Sequence, residues 1–274
     1  MERESAPGTG RGASDWSDGD AQLPSGCSEL AAATTIVAEL LCEHIDLRPG
    51  RLVLDVATGS GNGALAAARR GCQVRGVDRV PALLERARER ARAERLRAHF
   101  QLGDAEAIPF PDASFDVVLS VFGATFAADR RQVAAELLRV CRPGGTIAVT
   151  TWTRESVIGT ILRRSGRQAG PTRRSSGPTS WGTEHGIRSL FSPHIRAMLV
   201  NRRRYVFPYR SPEHFLELMQ IYCISALSPL GPADHVDENA VVRALTPVVL
   251  RLVRTDNRSM IVPSDYLEVV ATKR

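Results

Sequence analysis

The chain has 274 residues, 43% of them hydrophobic and 24% charged, which is enough apolar material for a globular core. No run approaches the roughly 20 consecutive apolar residues of a membrane-spanning helix, and the polar amino-terminal stretch lacks the apolar segment of a secretory signal. Five scattered cysteines without a CxxC pair, and six histidines without ligand spacing, argue against a disulfide framework and a metal site. We therefore expect a cytoplasmic globular protein without a bound metal.

The formal net charge of +6 raises the question of a nucleic-acid partner. Lys273 is the only lysine, so nearly all the positive charge is carried by arginine. In the stretch PALLERARERARAERL, residues 81–96, the arginines are interspersed with acidic residues, as on the solvated face of a helix. We therefore predict that the chain has no nucleic-acid partner.

Helix and strand patterns alternate through the first 152 residues. Residues 1–27 are rich in Gly, Ser and Asp and predict a flexible segment. Beyond it, a helical period of apolar residues predicts a helix over 30–45, and short apolar runs rich in β-formers predict strands. In chain order, the expected strands are 51–56, 73–78, 98–102, 115–121 and 145–152, with helices at 64–71, from Pro81 onward, and at 132–141. This alternation predicts βαβ units and a doubly wound α/β structure, a mostly parallel sheet with helices on both faces.

The composition changes after residue 152. Arg, Gly, Ser and Pro dominate residues 153–180, and the absence of periodicity there predicts a flexible surface loop. Beyond that loop we expect a helix over 181–191 with Thr183 as its N-cap, and a strand within 196–209. Two further helices, at 211–227 and 239–254, and a final strand at 265–273 complete the predicted elements.

A glycine-rich turn follows the first predicted strand, in the sequence VLDVATGSGNG at residues 53–63. Glycines at 59, 61 and 63 permit a tight turn and close approach of a ligand to backbone N–H groups. Such a turn alone is weak evidence for a nucleotide site. Asp55 makes the evidence for a ligand site more specific, because an acid at this position can face a cationic amino group, whereas it would repel a pyrophosphate.

Further polar residues end the neighbouring strands, where open α/β sheets bind ligands. Asp78 follows Asp55 by 23 residues, and its carboxylate is suited to accept hydrogen bonds from two ribose hydroxyls. The alternative is that Asp78 caps a helix or faces solvent. Asp104 can accept from an adenine amino group, while the N–H of Ala105 can donate to the ring. Ser120 opens the segment SVFG at 120–123, whose backbone is expected to meet a ligand beside the glycine turn.

These motifs together resemble the class I S-adenosylmethionine-dependent methyltransferases. The resemblance is carried by VLDVATGSGNG, GVD, GDAEAIPFPDASFDVVLS and ELLRVCRPGGTIAVTTW, which occur in that order between about residues 50 and 152. The sequence is most similar to the branch that contains the ubiquinone/menaquinone-type and type 11 enzymes. The resemblance implies a seven-stranded Rossmann-like sheet with an antiparallel last strand, a methyltransferase core over 28–152, and a helical substrate-side insertion within a region, 181–274, that completes the sheet.

The resemblance also implies a cofactor, S-adenosyl-L-methionine, and its contacts. Gly59 and Gly61 would cradle the methionyl end, Asp78 would hold the ribose, and Asp104 with Ala105 would read the adenine. The predicted cofactor-binding set is completed by residues adjoining these motifs: Asp55, Thr58, Ser60, Arg79 and Ser120. Trp16-Ser17-x-Gly19-Asp20 resembles an amino-terminal stretch of bacterial members of the branch, and implies a cover over the cofactor.

The methyl acceptor is predicted to be a small molecule, because SVFG replaces the Asn/Asp-Pro-Pro-Tyr motif of amino-methylating DNA enzymes and no Pro-Cys pair indicates cytosine chemistry. No catalytic base is assigned. Polar side chains of the carboxyl-terminal half are weak candidates: Glu184, His185, His194, Tyr205, Tyr209, His214 and Tyr222. Two alternatives stay open, an NAD(P)-dependent oxidoreductase with a related glycine turn and a methyltransferase homologue that has lost catalysis.

Overall fold

The computed structural model describes residues 27–127, 129–168, 181–227 and 260–274, together with residues 243, 246 and 247. Its helices are α1 Cys27–His44, α2 Asn62–Arg69, α3 Pro81–Ala93, α4 Arg130–Val140, α5 Val157–Gln168, α6 Glu184–Phe191 and α7 Pro212–Leu227. Its strands are β1 Leu52–Val56, β2 Gln73–Asp78, β3 Ala98–Leu102, β4 Phe115–Val121, β5 Cys141–Trp152, β6 Ile195–Tyr209 and β7 Met260–Lys273. The segment expected to be flexible at the amino terminus lies, up to residue 26, outside the described residues, as does most of the helix predicted at 239–254.

The seven strands form one sheet in the order β3-β2-β1-β4-β5-β7-β6. Strands β1 to β5 pair in parallel, so that their carboxyl ends share one edge. Strand β7 runs antiparallel to both β5 and β6. The predicted fold class, a mostly parallel seven-stranded sheet with an antiparallel last strand, is confirmed.

Apolar residues on both faces of the sheet explain why helices cover both sides. Leu54 and Val56 of β1 pack with Leu137 of α4 and Ile187 of α6 in one cluster. Val53, which points to the other face, packs with residues of α1, α2 and α3. The face that carries α4 and α6 is called the α4–α6 face below.

The antiparallel pair of β6 and β7 extends past the end of β5. This pair is called the hairpin below, although residues 210–259 separate its two strands in the chain. Trp152, the last residue of β5, pairs with Tyr266, whereas the β6–β7 pairing continues to Tyr209 and Met260. The six residue steps from Tyr266 to Met260 correspond to about 20 Å of strand. Helices α1, α5 and α7 pack in this region, and their apolar side chains join those of the hairpin in a cluster rich in aromatic residues.

The prediction of a flexible loop over 153–180 is wrong for residues 157–168, which form α5. Apolar side chains cover one face of its first turns, at Val157, Ile158, Ile161 and Leu162. The Ser156 hydroxyl accepts from the N–H of Gly159 at 3.0 Å, which stabilises the start of the helix. The Arg- and Gly-rich residues that follow concealed this short apolar face, and residues 169–180 lie outside the described part of the chain.

Strand β7 begins at Met260, five residues before the predicted start. This early part of the strand contains Pro263, and proline cannot donate to the hydrogen bonds between strands. At this level β5 has already ended, and Pro263 faces only Val206 of β6. A proline is tolerated because β7 is paired on one side only.

Candidate active site at the carboxyl edge of the sheet

The glycine turn links β1 to α2 through backbone that is locally strained. Ala57, at the end of β1, has a φ of 52°, a value unusual for a residue with a side chain. The N–H of Thr58 donates to the carbonyl of Val77 at 2.9 Å, and the N–H of Gly61 donates to the carbonyl of Thr58. These bonds tie the turn to the end of β2 and place it at the carboxyl edge.

Asp55 lies beneath the turn and is only 1% exposed. Its Oδ2 accepts from the Thr58 hydroxyl at 2.6 Å and from the N–H of Ala64, in the first turn of α2, at 2.7 Å. Oδ1 is buried without a hydrogen-bond partner in the described structure, and a Cβ on Gly63 would lie 2.7 Å from it. Burial raises the pKa of Asp55 to about 7, against the opposing effect of the hydrogen bond from Thr58. The carboxyl group therefore shapes the turn from below.

Asp78 joins the glycine turn to β2 and to the residue after β3. Its Oδ2 accepts from the N–H of Gly59 at 2.7 Å and its Oδ1 from the N–H of Val80 at 3.0 Å. Its backbone carbonyl accepts from Gly103. Burial raises the pKa of Asp78, while these backbone donors and the neighbouring half-buried Arg79 oppose the rise. The turn and the ends of β2 and β3 thus meet at one residue, Asp78.

The residues of the turn face different surroundings. At Gly59, with φ of 55°, a Cβ would meet nothing within 4 Å, so the backbone borders open space. At Gly61 a Cβ would lie 3.1 Å from the Cβ of Ala87, against α3. The carbonyl and hydroxyl of Ser60 both accept from Arg90, at 2.7 and 3.2 Å. Gly59 is therefore the part of the turn with room for a ligand.

The segment after β3 is held in place by α4. Asp104 is exposed, and its Oδ1 accepts from the N–H of Glu106 at 2.9 Å in a local turn, while Ala105 is partly buried. The N–H of Ile108 donates to Glu136 at 2.6 Å, and Arg139 donates to the carbonyl of Ile108 at 2.9 Å. Leu102, the last residue of β3, pairs with Asp78, and Asp104 follows it by two residues. Asp104 is therefore close to Asp78 along the carboxyl edge.

The end of β4 packs directly against the end of β1. Ser120 is fully buried, and its hydroxyl donates to the carbonyl of Val56 at 2.8 Å and accepts from Ala124. A Cβ on Gly123 would lie 2.3 Å from the carbonyl oxygen of Ala57. Phe122, the residue before Gly123, has a φ of 63°. Strained residues at the ends of both strands are a feature of functional sites, and here they flank the glycine turn.

Sequence reasoning missed the side chains that fasten α1 to the turn. Asn62, the first residue of α2, donates to the hydroxyl of Thr34 at 3.0 Å and accepts from Thr35 at 3.2 Å. Arg90 also donates to Asn62, at 2.8 Å. No local signal could have revealed these contacts, because they join residues 27 or more positions apart.

An aromatic wall adjoins this site on the hairpin side. Phe122 stacks on Trp152 with ring centroids 3.9 Å apart and planes 4° from parallel. Tyr266 packs edge-on against both rings, and Phe207 packs against Trp152. All four are at most 4% exposed. These four residues are called the aromatic wall below.

The weak candidates for a catalytic base are dispersed. Tyr209 is buried, which raises the pKa of its hydroxyl, and His214 lies 2.6 Å from Glu29 of α1 through Nε2. His185 is exposed at the start of α6, and His194 precedes β6 at the opposite edge of the sheet. Glu184 pairs with Arg188, Tyr205 is half-buried against Phe207, and the side chain of Tyr222 lies outside the described part of the chain. The structure gathers none of these described side chains with the glycine turn.

Comparison with known proteins assigns this arrangement to a family. The sequence profile of the methyltransferase domain matches residues 54–149. An uncharacterized protein of Mycobacterium tuberculosis is 38% identical over 247 residues, which are 86% of each chain. Demethylmenaquinone methyltransferase of Deinococcus radiodurans is 46% identical over 101 residues, 36% of this chain and 42% of that enzyme. The chain belongs to the class I S-adenosylmethionine-dependent methyltransferases.

The fold agrees with this family membership. The crystal structure of the Bacillus subtilis YcgJ protein superimposes with a TM-score of 0.59 at 18% identity, covering 86% of this chain and 97% of that one.

Within the described ranges, no helix is long and apolar enough to cross a membrane. Over the same ranges, no three His, Cys, Asp or Glu side chains come together as metal ligands.

Proposed function

We propose that this methyltransferase transfers a methyl group from S-adenosyl-L-methionine to a small molecule in the cytosol. One observation carries the proposal: the Asp78 carboxylate accepts from Gly59 of the turn while its backbone accepts from Gly103, next to Asp104. Three separate sequence motifs therefore adjoin one place at the carboxyl edge. The buried free thiols of Cys42, Cys72 and Cys141 suit a reducing compartment.

The residues of this edge fit the cofactor. The open space at Gly59 is a cradle that any side chain would fill. An ionised carboxylate has about four acceptor positions, so Asp78 retains capacity for ribose hydroxyls after accepting two backbone N–H groups. Asp104 and the N–H of Ala105 would hold the adenine. Thr58, Ser60, Gly61 and Ser120, through internal bonds and packing, would keep the cradle in shape, with Asp55 below and Arg79 beside it.

When bound, the sulfonium group of the cofactor supplies an electrophilic methyl group for in-line displacement. The chain contributes by placing donor and acceptor, an effect worth on the order of 7–11 kcal/mol in favourable intramolecular reactions. The aromatic wall would exclude water beside the acceptor. An acceptor that needs deprotonation would require a base, and none is assigned here.

A small-molecule acceptor is supported by the apolar character of the hairpin region. The aromatic wall and the neighbouring side chains of α5 and α7 are apolar, which suits an organic acceptor better than a nucleic-acid backbone. Neither the oxidoreductase nor the non-catalytic alternative has a specific structural feature in its favour.

Calorimetric titration of the full chain with S-adenosylhomocysteine and with NAD tests the cofactor assignment. We expect binding of S-adenosylhomocysteine alone. Replacement Asp78→Ala should weaken that binding by about 1–3 kcal/mol, because hydrogen bonds to a bound ligand are lost. Asp112→Ala is the control, since the Asp112 side chain is 79% exposed and pairs with Arg139. Tight binding of NAD alone, or equal affinities of the two variants, would contradict the assignment.

Catalysis is tested separately by incubating the protein with metabolite extract and isotopically labelled S-adenosylmethionine. Label transferred to a metabolite identifies the acceptor and excludes the non-catalytic alternative. Label found in nucleic acid would contradict a small-molecule acceptor. If S-adenosylhomocysteine binds but no label moves in extracts from several growth conditions, the chain is a cofactor-binding protein without catalysis.

A further inference from the structure

A second cleft lies on the α4–α6 face, away from the glycine turn. Its volume is about 600 Å³, within the range of roughly 300–1,000 Å³ that is common for small-molecule sites. Residues of α4, α6, the segment before β6 and the end of β7 line it. His194 and Lys273 lie at the edge of the sheet opposite the carboxyl ends of β1 to β5. The other end of the cleft begins at the start of α4, where Asp129 and Gln132 donate to Glu106, but none of the lining residues belongs to the candidate active site.

The lining of this cleft is strongly cationic. Arg130, Arg131, Arg139 and Lys273 contribute four side chains that are charged at neutral pH, and His194 adds an imidazole. None of the nine described residues that line the cleft is acidic. The positive charge of Arg139 is offset by its ion pairs with Glu136 and Asp112. Lys273 donates to the carbonyl of Cys141 at 2.8 Å. The Arg131 side chain is exposed and makes no hydrogen bond or ion pair with the described residues.

The position of two of these arginines is unfavourable for the helix that carries them. Arg130 and Arg131 occupy the first turn of α4, directly after the N-cap Asp129, whose carboxylate accepts from the N–H groups of Arg131 and Gln132. The positive end of the helix dipole disfavours cations in this turn, whereas a bound anion is stabilised there. The Asp129 carboxylate offsets part of this cost, so the preference of the cleft for an anion rests on its cationic side chains and not on the helix terminus.

The cleft also has an apolar floor. Leu138 is 6% exposed and Leu190 is half-buried, and both line the cleft beside Ala135. Guanidinium groups bind phosphate through paired hydrogen bonds, while the floor can contact an uncharged body of the same molecule. We propose that this cleft binds a small phosphate-bearing molecule with an uncharged organic portion, at a site separate from the one for the methyl donor.

Binding of inorganic pyrophosphate and of uridine diphosphate to the full chain tests the proposal. Calorimetry at low ionic strength should show binding of both, with uridine diphosphate the tighter because its nucleoside can contact the floor. Arg131→Ala should weaken both by about tenfold, as expected for the loss of a charge-assisted bond, and Arg131→Glu should weaken them further. Arg86→Ala, which removes an exposed arginine of α3 paired with Glu89, is the control and should leave both affinities unchanged.

The single lysine gives an independent readout. Amine-specific labelling of Lys273, followed by mass spectrometry of its peptide, should slow when pyrophosphate is present, and this protection should be lost in Arg131→Glu. Failure of both probes to bind, or equal weakening in Arg86→Ala, would overturn the proposal. So would displacement of uridine diphosphate by S-adenosylhomocysteine, which would place the probe in the other site. Binding confined to phosphatidylglycerol vesicles, with none to soluble phosphates, would identify a membrane surface and also overturn it.

Discussion

The two sides of the carboxyl edge are built on different principles. On the cofactor side, short polar contacts and close backbone approaches dominate, such as Gly59 to Asp78 at 2.7 Å. On the hairpin side, the aromatic wall is assembled from three strands and from Phe122, which follows β4, with stacked and edge-on rings. The first side depends on the position of a few backbone atoms, whereas the second depends on the volume and shape of large side chains.

The difference indicates how each side responds to substitution. A group added on the cofactor side where backbone packs on backbone, as at Gly123, displaces the ends of the strands that carry the turn. A group changed in the aromatic wall alters packing and can be accommodated locally. We therefore expect variants of the first side to affect donor binding and, where they displace backbone or change a buried charge, stability as well. Variants of the second side should affect stability and acceptor use but not donor binding.

The largest effect is expected for Gly123→Ala. The new methyl group would lie 2.3 Å from the carbonyl oxygen of Ala57 and force the ends of β1 and β4 apart. We expect the free energy of unfolding, measured by urea denaturation, to fall by about 3 kcal/mol or more. Gly144→Ala is the matched control: its φ is 75° but nothing lies within 4 Å, so a loss of about 1 kcal/mol is expected. Equal losses in the two variants would refute the close contact.

An intermediate effect is expected for Trp152→Leu. Loss of the stack on Phe122 should lower the free energy of unfolding by about 2–4 kcal/mol, while the dissociation constant for S-adenosylhomocysteine stays within about twofold. Trp181→Leu is the control, because Trp181 is fully buried and packs with α6 residues on the α4–α6 face. A similar stability loss in both, with reduced acceptor turnover in Trp152→Leu only, is the expected result. A large loss of donor affinity in Trp152→Leu would show that the two sides are not separable.

A smaller effect, dependent on pH, is expected for Asp55→Asn. The folded-state pKa of Asp55 is raised to about 7, so the folded protein retains a proton that the unfolded chain releases near pH 4. The protonated Asp55 side chain therefore contributes fully to the free energy of unfolding below about pH 4, and this contribution is lost as the pH rises to about 7. Relative to wild type, Asp55→Asn should therefore gain stability over this interval, by about 1–3 kcal/mol.

Urea denaturation across that pH interval measures this difference, with Asp112→Asn as an exposed control that should keep the wild-type slope. The amide can still accept from Thr58 and Ala64, so the fold of the variant should be retained. Parallel pH profiles of wild type and Asp55→Asn would contradict burial of an ionisable group at this position.

Most of the fold was predictable because its elements are encoded locally. The alternation of strands and helices up to residue 152 gave the parallel sheet, and Thr183 caps α6 as predicted, with its hydroxyl accepting from Gly186 at 3.1 Å. The failures occur where tertiary context outweighs composition: at α5, at the start of β7, and at the start of β5, which begins at Cys141 and not at residue 145. The cofactor-binding residues remain a prediction, although the turn and Asp78 come together as expected.

The sequence alone determined the order of the elements, the glycine turn and the acids that end β2 and β3, because periodicity and turn chemistry act over a few residues. Only the tertiary structure decided that Asn62 anchors α1, that Gly123 meets Ala57, and that arginines of α4 share a cleft with Lys273. Such contacts join residues far apart in the chain, and no local pattern encodes which distant side chains will pack together.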